Sequence, residues 1–330
     1  MSVYRASSYP GNGVLDYIDS IFDRAQADEG EPNETLYQRV SKLFEQEGIA
    51  EPFRGITRNG EVIPGLFSIG PTGFSTESIC QAATAFLDSL MPNQQQKVLF
   101  NVDDVKWRKW MNVHFYVRDG LGFEEMNITQ RKAAFKMMAT SLSAKGLKLC
   151  RDIMGLNHTL GELNNNNFVD YGEWKYWIAI MGTPSNNKPW GWQIDGHHLI
   201  VNFFVLGDQI VMTPLFIGSE PVIAEEGKYK GVAVMQTEQD QGLSLIRALP
   251  KDQRKRAVLH SKKTDDYNLA EAFKDNLVID HAGISVDKLT SSHQAQLLKL
   301  IKLYVDNLDE GHAKSRMEEV SKYFNETHFA

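Results

Sequence analysis

Cysteine is nearly absent: Cys80 and Cys150 are the only two among 330 residues, each inside an apolar, helix-like run. Such a pair builds neither a disulfide framework nor a multi-cysteine metal cluster, and it fits a reducing compartment. Long apolar runs are missing as well. No stretch approaches the roughly 18 apolar residues of a membrane span, and the start, Met1 to Gly11, carries one positive charge without an apolar h-region. The expectation is a soluble, cytoplasmic chain with no membrane partner. Positive charge is also short, with 35 Lys and Arg against 42 Asp and Glu for a net charge of −7. A nucleic-acid partner, which demands a basic face, is therefore not expected. The sequence further lacks a Gly-x-Ser-x-Gly elbow, a Gly-x-x-x-x-Gly-Lys loop, a Gly-x-Gly-x-x-Gly turn and a His-Glu-x-x-His helix. Their absence disfavours the familiar nucleophile and zincin mechanisms and any nucleotide cofactor.

What is present has the composition of an ordinary folded protein, 42% hydrophobic and 23% charged. The first 50 residues carry helical spacing in Val14, Leu15, Ile18 and Ile21 and again in Leu36, Val40 and Leu43, separated by the turn-rich stretch Asp28 to Asn33. They are expected to form a helical arm, with residues 51–330 as one domain. Phe53 to Ile69 has strand-like alternation around Asn59-Gly60, a hairpin signal. Ser75 or Thr76 can cap a helix running from Ile79 to Leu90 and closed by Pro92, and Thr129 a second one. Ser143 opens a third, shorter helix, and Asn164 to Asn167 reads as a surface loop. Strands follow from Tyr171 to about Phe216, and two helices, His293 to Leu308 and Gly311 to Phe324, close the chain. The fold class is α+β, an antiparallel sheet with hairpins in the centre of the chain, surrounded by helices.

The polar features converge on Trp107 to Thr213, and all six tryptophans lie between Trp107 and Trp192. If Asp195-Gly196 is a two-residue turn, alternation puts Trp190, Trp192, Ile194, His197, Leu199, Val201 and Phe203 on one face. Gln193, His198, Ile200, Asn202 and Phe204 take the other, joined across a turn at Gly207-Asp208 by Val211 and Thr213. On this register His197 and His198 point to opposite sides and do not form a ligand pair. His197 is expected to be a hydrogen-bonded core histidine. His198, Gln193, Asn202 and Thr213 form a polar cluster that needs partners. Alternation over Val113 to Val117 likewise gathers His114, Tyr116 and Arg118 on one strand face, a set offering a metal ligand, a hydroxyl and an anion clamp. The competing reading pairs Arg118 with Glu124 or Glu125 on a solvated face.

Trp107-Arg-Lys-Trp-Met-Asn, Gly191-Trp-Gln-Ile-Asp-Gly-His-His-Leu, Thr213-Pro-Leu-Phe-Ile-Gly-Ser-Glu-Pro and Asp280-His-Ala-Gly resemble an uncharacterised family over roughly Phe53 to Ala330. It is the one catalogued as domain of unknown function three thousand five hundred. The resemblance implies no established activity. It also implies a strand-rich tail, with a Tyr-Tyr-Arg stretch and a His-x-His element, beyond the point where this sequence stops at Ala330. Three functions follow as expectations. The first is a metal-dependent enzyme, hydrolytic or oxidative, acting on a small anionic or aromatic substrate. Its transition metal would sit on His198 and His114, with Arg108, His114 and Arg118 as catalytic candidates and Trp192, Gln193 and Asn202 against the substrate. The second is a metal-free binder using the tryptophan-rich hairpin. The third is a structural subunit.

Overall fold

The structure, a computed structural model, describes residues 14–28, 30–66, 70–260, 275–279 and 281–330, with the side chains of 14–17 excepted. The readings made at Met1 to Gly11, Val14, Leu15, Phe67 to Ile69 and Asp280 lie outside the described residues or side chains. Helices α1 (Val14–Ala27) and α2 (Leu36–Gly48) occupy the expected N-terminal positions. Thr35 and Gln38 close a capping box at the start of α2. Ile21, Val40 and Phe44 are buried together with Met111 and Tyr116, so the two helices pack on the stretch that leads into the central sheet.

The hairpin expected around Asn59-Gly60 does not form among the described residues. Thr57 makes a single parallel bridge to Val278. The turn is closed by side chains instead, with Gly60 N–H donating to Thr57 Oγ1 at 2.9 Å and Glu61 N–H to Asn59 Oδ1 at 3.1 Å. Phe53, Ile56, Val62 and Ile63 are all exposed, because no layer covers the face that their alternation would create.

Helix α3 (Glu77–Asp88) ends where expected, and Pro92 then opens a further short helix, α4 (Pro92–Val98), that the sequence reading passed over. Strands β1 (Leu99–Phe100) and β2 (Leu121–Gly122) bracket an irregular stretch. Helix α5 (Ile128–Ser141) is capped by Asn127 rather than Thr129. Helix α6 (Ala144–Leu163) is capped by Ser143 as expected. It is 20 residues long, not short, because Leu156 and Leu160 continue its buried side past Gly155.

Strands β3 (Tyr176–Met181), β4 (Trp190–Gly196), β5 (Leu199–Leu206), β6 (Gln209–Val211) and β7 (Leu215–Ile217) complete a sheet in the order β1-β3-β4-β5-β6, with β2 on β3 and β7 on β5. Pairing is antiparallel except between β1 and β3. The β4–β5 register pairs Gly196 with Leu199, Ile194 with Val201 and Gln193 with Asn202. The turn residues are therefore His197 and His198, not Asp195 and Gly196. Strand β4 runs two residues further than expected and β5 begins two residues later, an even shift, so the face assignments within the strands survive. Trp190, Trp192, Ile194, Leu199, Val201 and Phe203 line the main core, which α3, α5 and α6 cover. The turn at Gly207-Asp208 is as expected.

Beyond β7 the described residues contain helices α7 (Gln236–Ala248), α8 (Lys251–Ala257), α9 (Ser291–Val305) and α10 (Glu310–Lys322), with β8 (Ile284–Ser285) paired to β9 (His328–Phe329). Leu245, Leu249, Ile284, Val286, Leu297 and Phe324 form a separate small core there. The architecture is α+β. No helix among the described residues is long and apolar enough to cross a membrane.

Candidate functional site

The turn between β4 and β5 is built under constraint. Tyr176 lies so close to Gly196 that a Cβ there would sit 2.2 Å from the ring, which leaves room for glycine alone. His198 has a φ of 59°, the left-handed region that side-chain-bearing residues seldom enter. Three hydrogen bonds hold the turn in that shape. His198 N–H donates to Asn112 O at 2.9 Å, Gly218 N–H donates to His198 O at 2.8 Å, and the Tyr176 hydroxyl donates to His197 O at 3.0 Å. A strained residue persists only where its surroundings over-determine it, and such positions gather at functional sites.

Leaving the strand at its end frees both histidines from alternation. Their rings stack, with centroids 3.9 Å apart, so the expectation that they face opposite sides is overturned. Glu220, in the segment after β7, brings its carboxylate to 3.6 Å from His198 Nε2. One ligand atom each of His197, His198 and Glu220 lie within 4.8 Å of one another, and this is the sole such group of three or more among the described residues. At metal–ligand distances of about 2.1 Å, neighbouring ligand atoms sit roughly 3.4 Å apart. The Glu220 side chain, 67% exposed, has the freedom to close the remaining gap.

His197 is buried and hydrogen-bonded, as expected of it, through a contact of 2.9 Å between its Nδ1 and Asn157 Oδ1 on α6. The Asn157 amide nitrogen donates to Gly172 O at 2.9 Å, which turns its oxygen toward the ring. Nδ1 must then carry the proton, and Nε2 keeps its lone pair. Burial pushes the His197 imidazole down to about 2, and His198, His114 and Arg118 act in the same direction. The ring is thus neutral, the form that ligates a metal.

His114 stands beside this pair, its ring 5.5 Å from that of His197 and 4.7 Å from Tyr171. Burial lowers its pKa, with Asp170 and Glu220 opposing. No strand carries it: residues 111–120 are irregular, and their shape is set by Arg118. The Arg118 guanidinium donates to Tyr116 O at 3.1 Å, to Val113 O at 2.6 Å and to Met111 O, while its Nε lies 3.1 Å from Asp195 Oδ1. Both side chains of this pair are 1% exposed. Arg118 is therefore an internal fastener, neither an exposed anion clamp nor a partner of Glu124 or Glu125, which pair with Lys175 and Lys97.

The other expected residues lie away from the turn or beneath the surface. Gln193 donates to Asn202 Oδ1 at 2.7 Å and Asn202 donates to Pro214 O at 3.0 Å, both side chains buried in the sheet under Lys106 and Trp107. Thr213 is exposed and does not join them. Trp192 is fully buried in the main core, stacked on Phe203. Arg108 is committed to Asp275, through bonds of 2.5 and 3.0 Å, and to Glu51 O. His197, Glu220 and Asn157 are the members that sequence reasoning missed. Glu220 was visible in the Gly-Ser-Glu-Pro motif, whereas nothing in the spacing of Asn157 marks it.

A family model described as Protein of unknown function (DUF3500) matches residues 72–330, beginning later than the resemblance at Phe53 implied. No curated protein and no solved structure matches the chain.

Proposed function

Since the chain belongs to the DUF3500 family, a membership that assigns no reaction, we propose from the site itself that it is a metal-dependent enzyme. The centre would be held by His197 Nε2, His198 and Glu220. The observation that carries this reading is the meeting of three ligand atoms within 4.8 Å on a strained, triply anchored turn. Two histidines and one carboxylate, graded from buried through half-buried to exposed, would leave positions open on the solvent side. A metal in that place supplies an electrophile or an activated water, in hydrolytic or oxidative chemistry.

The chain's own residues define the rest. Asn157 holds His197 in the tautomer that points Nε2 outward, the outer-shell role that orients ligating histidines. His114, kept neutral by burial, stands beside His197 as a proton acceptor or a further ligand. Tyr171, Phe216 and His114 give flat faces around the pair, with Phe216 stacked 6.4 Å from His198. Asp170 and Glu220 supply negative charge to the same neighbourhood, and the guanidinium groups of Arg108 and Arg118 are already committed. The substrate class that fits is small, aromatic and uncharged rather than anionic.

The test is elemental analysis of protein prepared without chelator or tag-derived nickel. The expected result is about one transition-metal equivalent per chain, lost in both His197→Ala and His198→Ala while the circular dichroism spectrum is unchanged. Failure of the wild-type chain to take up zinc, iron, manganese, copper, nickel or cobalt after equilibrium dialysis would overturn the reading.

A further inference from the structure

A second concave site lies on the other side of α6, away from the histidine turn. It is a cleft of about 330 Å³ between α5, α6 and the segments bearing Trp174 and Tyr229. That size stands at the lower end of the range for pockets that enclose small organic ligands. Its walls are apolar and largely aromatic. Phe135, Leu147, Met154, Trp174 and Tyr229 contribute to them, and Tyr229 reaches α6 because position 155 is glycine. A Cβ at Gly155 would meet the Tyr229 ring at 2.9 Å.

The charges at the rim mostly cancel. Lys148 pairs with Asp152 on α6, and Glu173 accepts from Lys228 at 2.9 Å. Arg151 is the exception. Its exposed guanidinium lies 5.2 Å from the Phe135 ring centroid, and no carboxylate pairs with it among the described residues. A single uncancelled cation at the mouth of an aromatic cleft calls for a ligand with one flat apolar body and one anionic head. Guanidinium binds carboxylate through paired N–H donors, and aromatic walls favour a ring over a flexible chain.

We propose that this cleft binds a small aromatic monocarboxylate, its ring between Trp174 and Tyr229 and its carboxylate on Arg151. The site is independent of the histidine centre and needs no metal. The cleft is too small to take a helix or a strand of a protein partner with its flanking side chains.

Phenylacetate, titrated into the isotopically labelled full chain and followed by proton–nitrogen correlation spectra, tests the assignment. Saturable shifts are expected at the Trp174 indole N–H and the Gly155 amide. Phenylacetamide, the same body without charge, should bind roughly tenfold or more weakly, and Arg151→Gln should weaken phenylacetate equally, as loss of a charge-assisted pair requires. Ala144→Trp, an exposed position on the cleft wall, should abolish the shifts while thermal unfolding stays unchanged. Absence of saturable shifts, equal binding of acid and amide, or shifts centred on His197 and His198 would each overturn the proposal. A dimer that Ala144→Trp disrupts would also overturn it, giving the cleft to a second copy of the chain.

Discussion

His197 ties the candidate centre to acid stability. Its folded-state pKa, about 2, lies well below the ordinary histidine value of about 6.5. Above pH 6.5 neither state binds the proton and the residue contributes nothing. Below it the unfolded chain takes up a proton that the native ring refuses, so stability falls with decreasing pH by about 1.4 kcal/mol per unit. Urea denaturation of metal-free protein between pH 7 and pH 5 should display that decline, and His197→Gln should flatten it. An unchanged slope in the variant would mean that the ring does not titrate as its burial demands. The same residue marks a limit of sequence reading. Its burial and its hydrogen bond were legible, but its tautomer depends on Asn157, 40 residues earlier, and no local pattern connects a helix amide to a distant turn.

At the scale of elements, the hairpin β4–β5 and the irregular stretch 111–120 form one unit through the Arg118–Asp195 pair. Asp195→Asn removes a charge from a fully buried ion pair and leaves the guanidinium without its counter-ion, a loss on the order of 3–5 kcal/mol. Denaturant midpoints at constant slope measure it, and a cost below about 1 kcal/mol would show that the carbonyls of Met111, Val113 and Tyr116 suffice without the carboxylate. This pair also explains where sequence reasoning slipped. Asp-Gly is a strong turn dipeptide, but Asp195 is drawn inward by Arg118 and Gly196 is required by the Tyr176 ring, so the chain turns two residues later. Period-two alternation still sorted Trp192, Ile194, Gln193 and Asn202 to the right faces, because faces depend on parity and the error was even. The alternation over Val113 to Val117 misled, because a buried guanidinium collecting carbonyl oxygens produces the same spacing as a strand.

Across the whole molecule, the two N-terminal helices lie outside the matched family region yet support the stretch that carries His114. Phe115 packs on Phe22 and Phe44, the Tyr116 hydroxyl donates to Glu45 Oε1 at 2.6 Å, and Val117 N–H donates to Ser41 Oγ at 2.9 Å. Deleting residues 1–50 should therefore speed amide exchange through residues 111–118 and lower metal content as well, since Asn112 O in that stretch anchors the His198 turn. Hydrogen-exchange mass spectrometry with elemental analysis reads both. Unaltered exchange in that stretch would show that Arg118 alone fixes it. The central sheet and the helical packing around it were legible from periodicity, which is a property of each segment by itself. The docking of α1 and α2 onto a loop was not, because it depends on which surfaces remain uncovered once the sheet has formed.

The crowding of Tyr176 against Gly196 bears on how this segment can drift over generations. Asp195 and Gly196 serve the packing of the fold, whereas His197 and His198 are the residues of the proposed centre, so the two halves of Asp-Gly-His-His would answer to different pressures. A descendant without the proposed centre could discard its histidines and must still keep the aspartate and the glycine. Lineages in which the first pair outlives the second would be those that had lost the proposed centre.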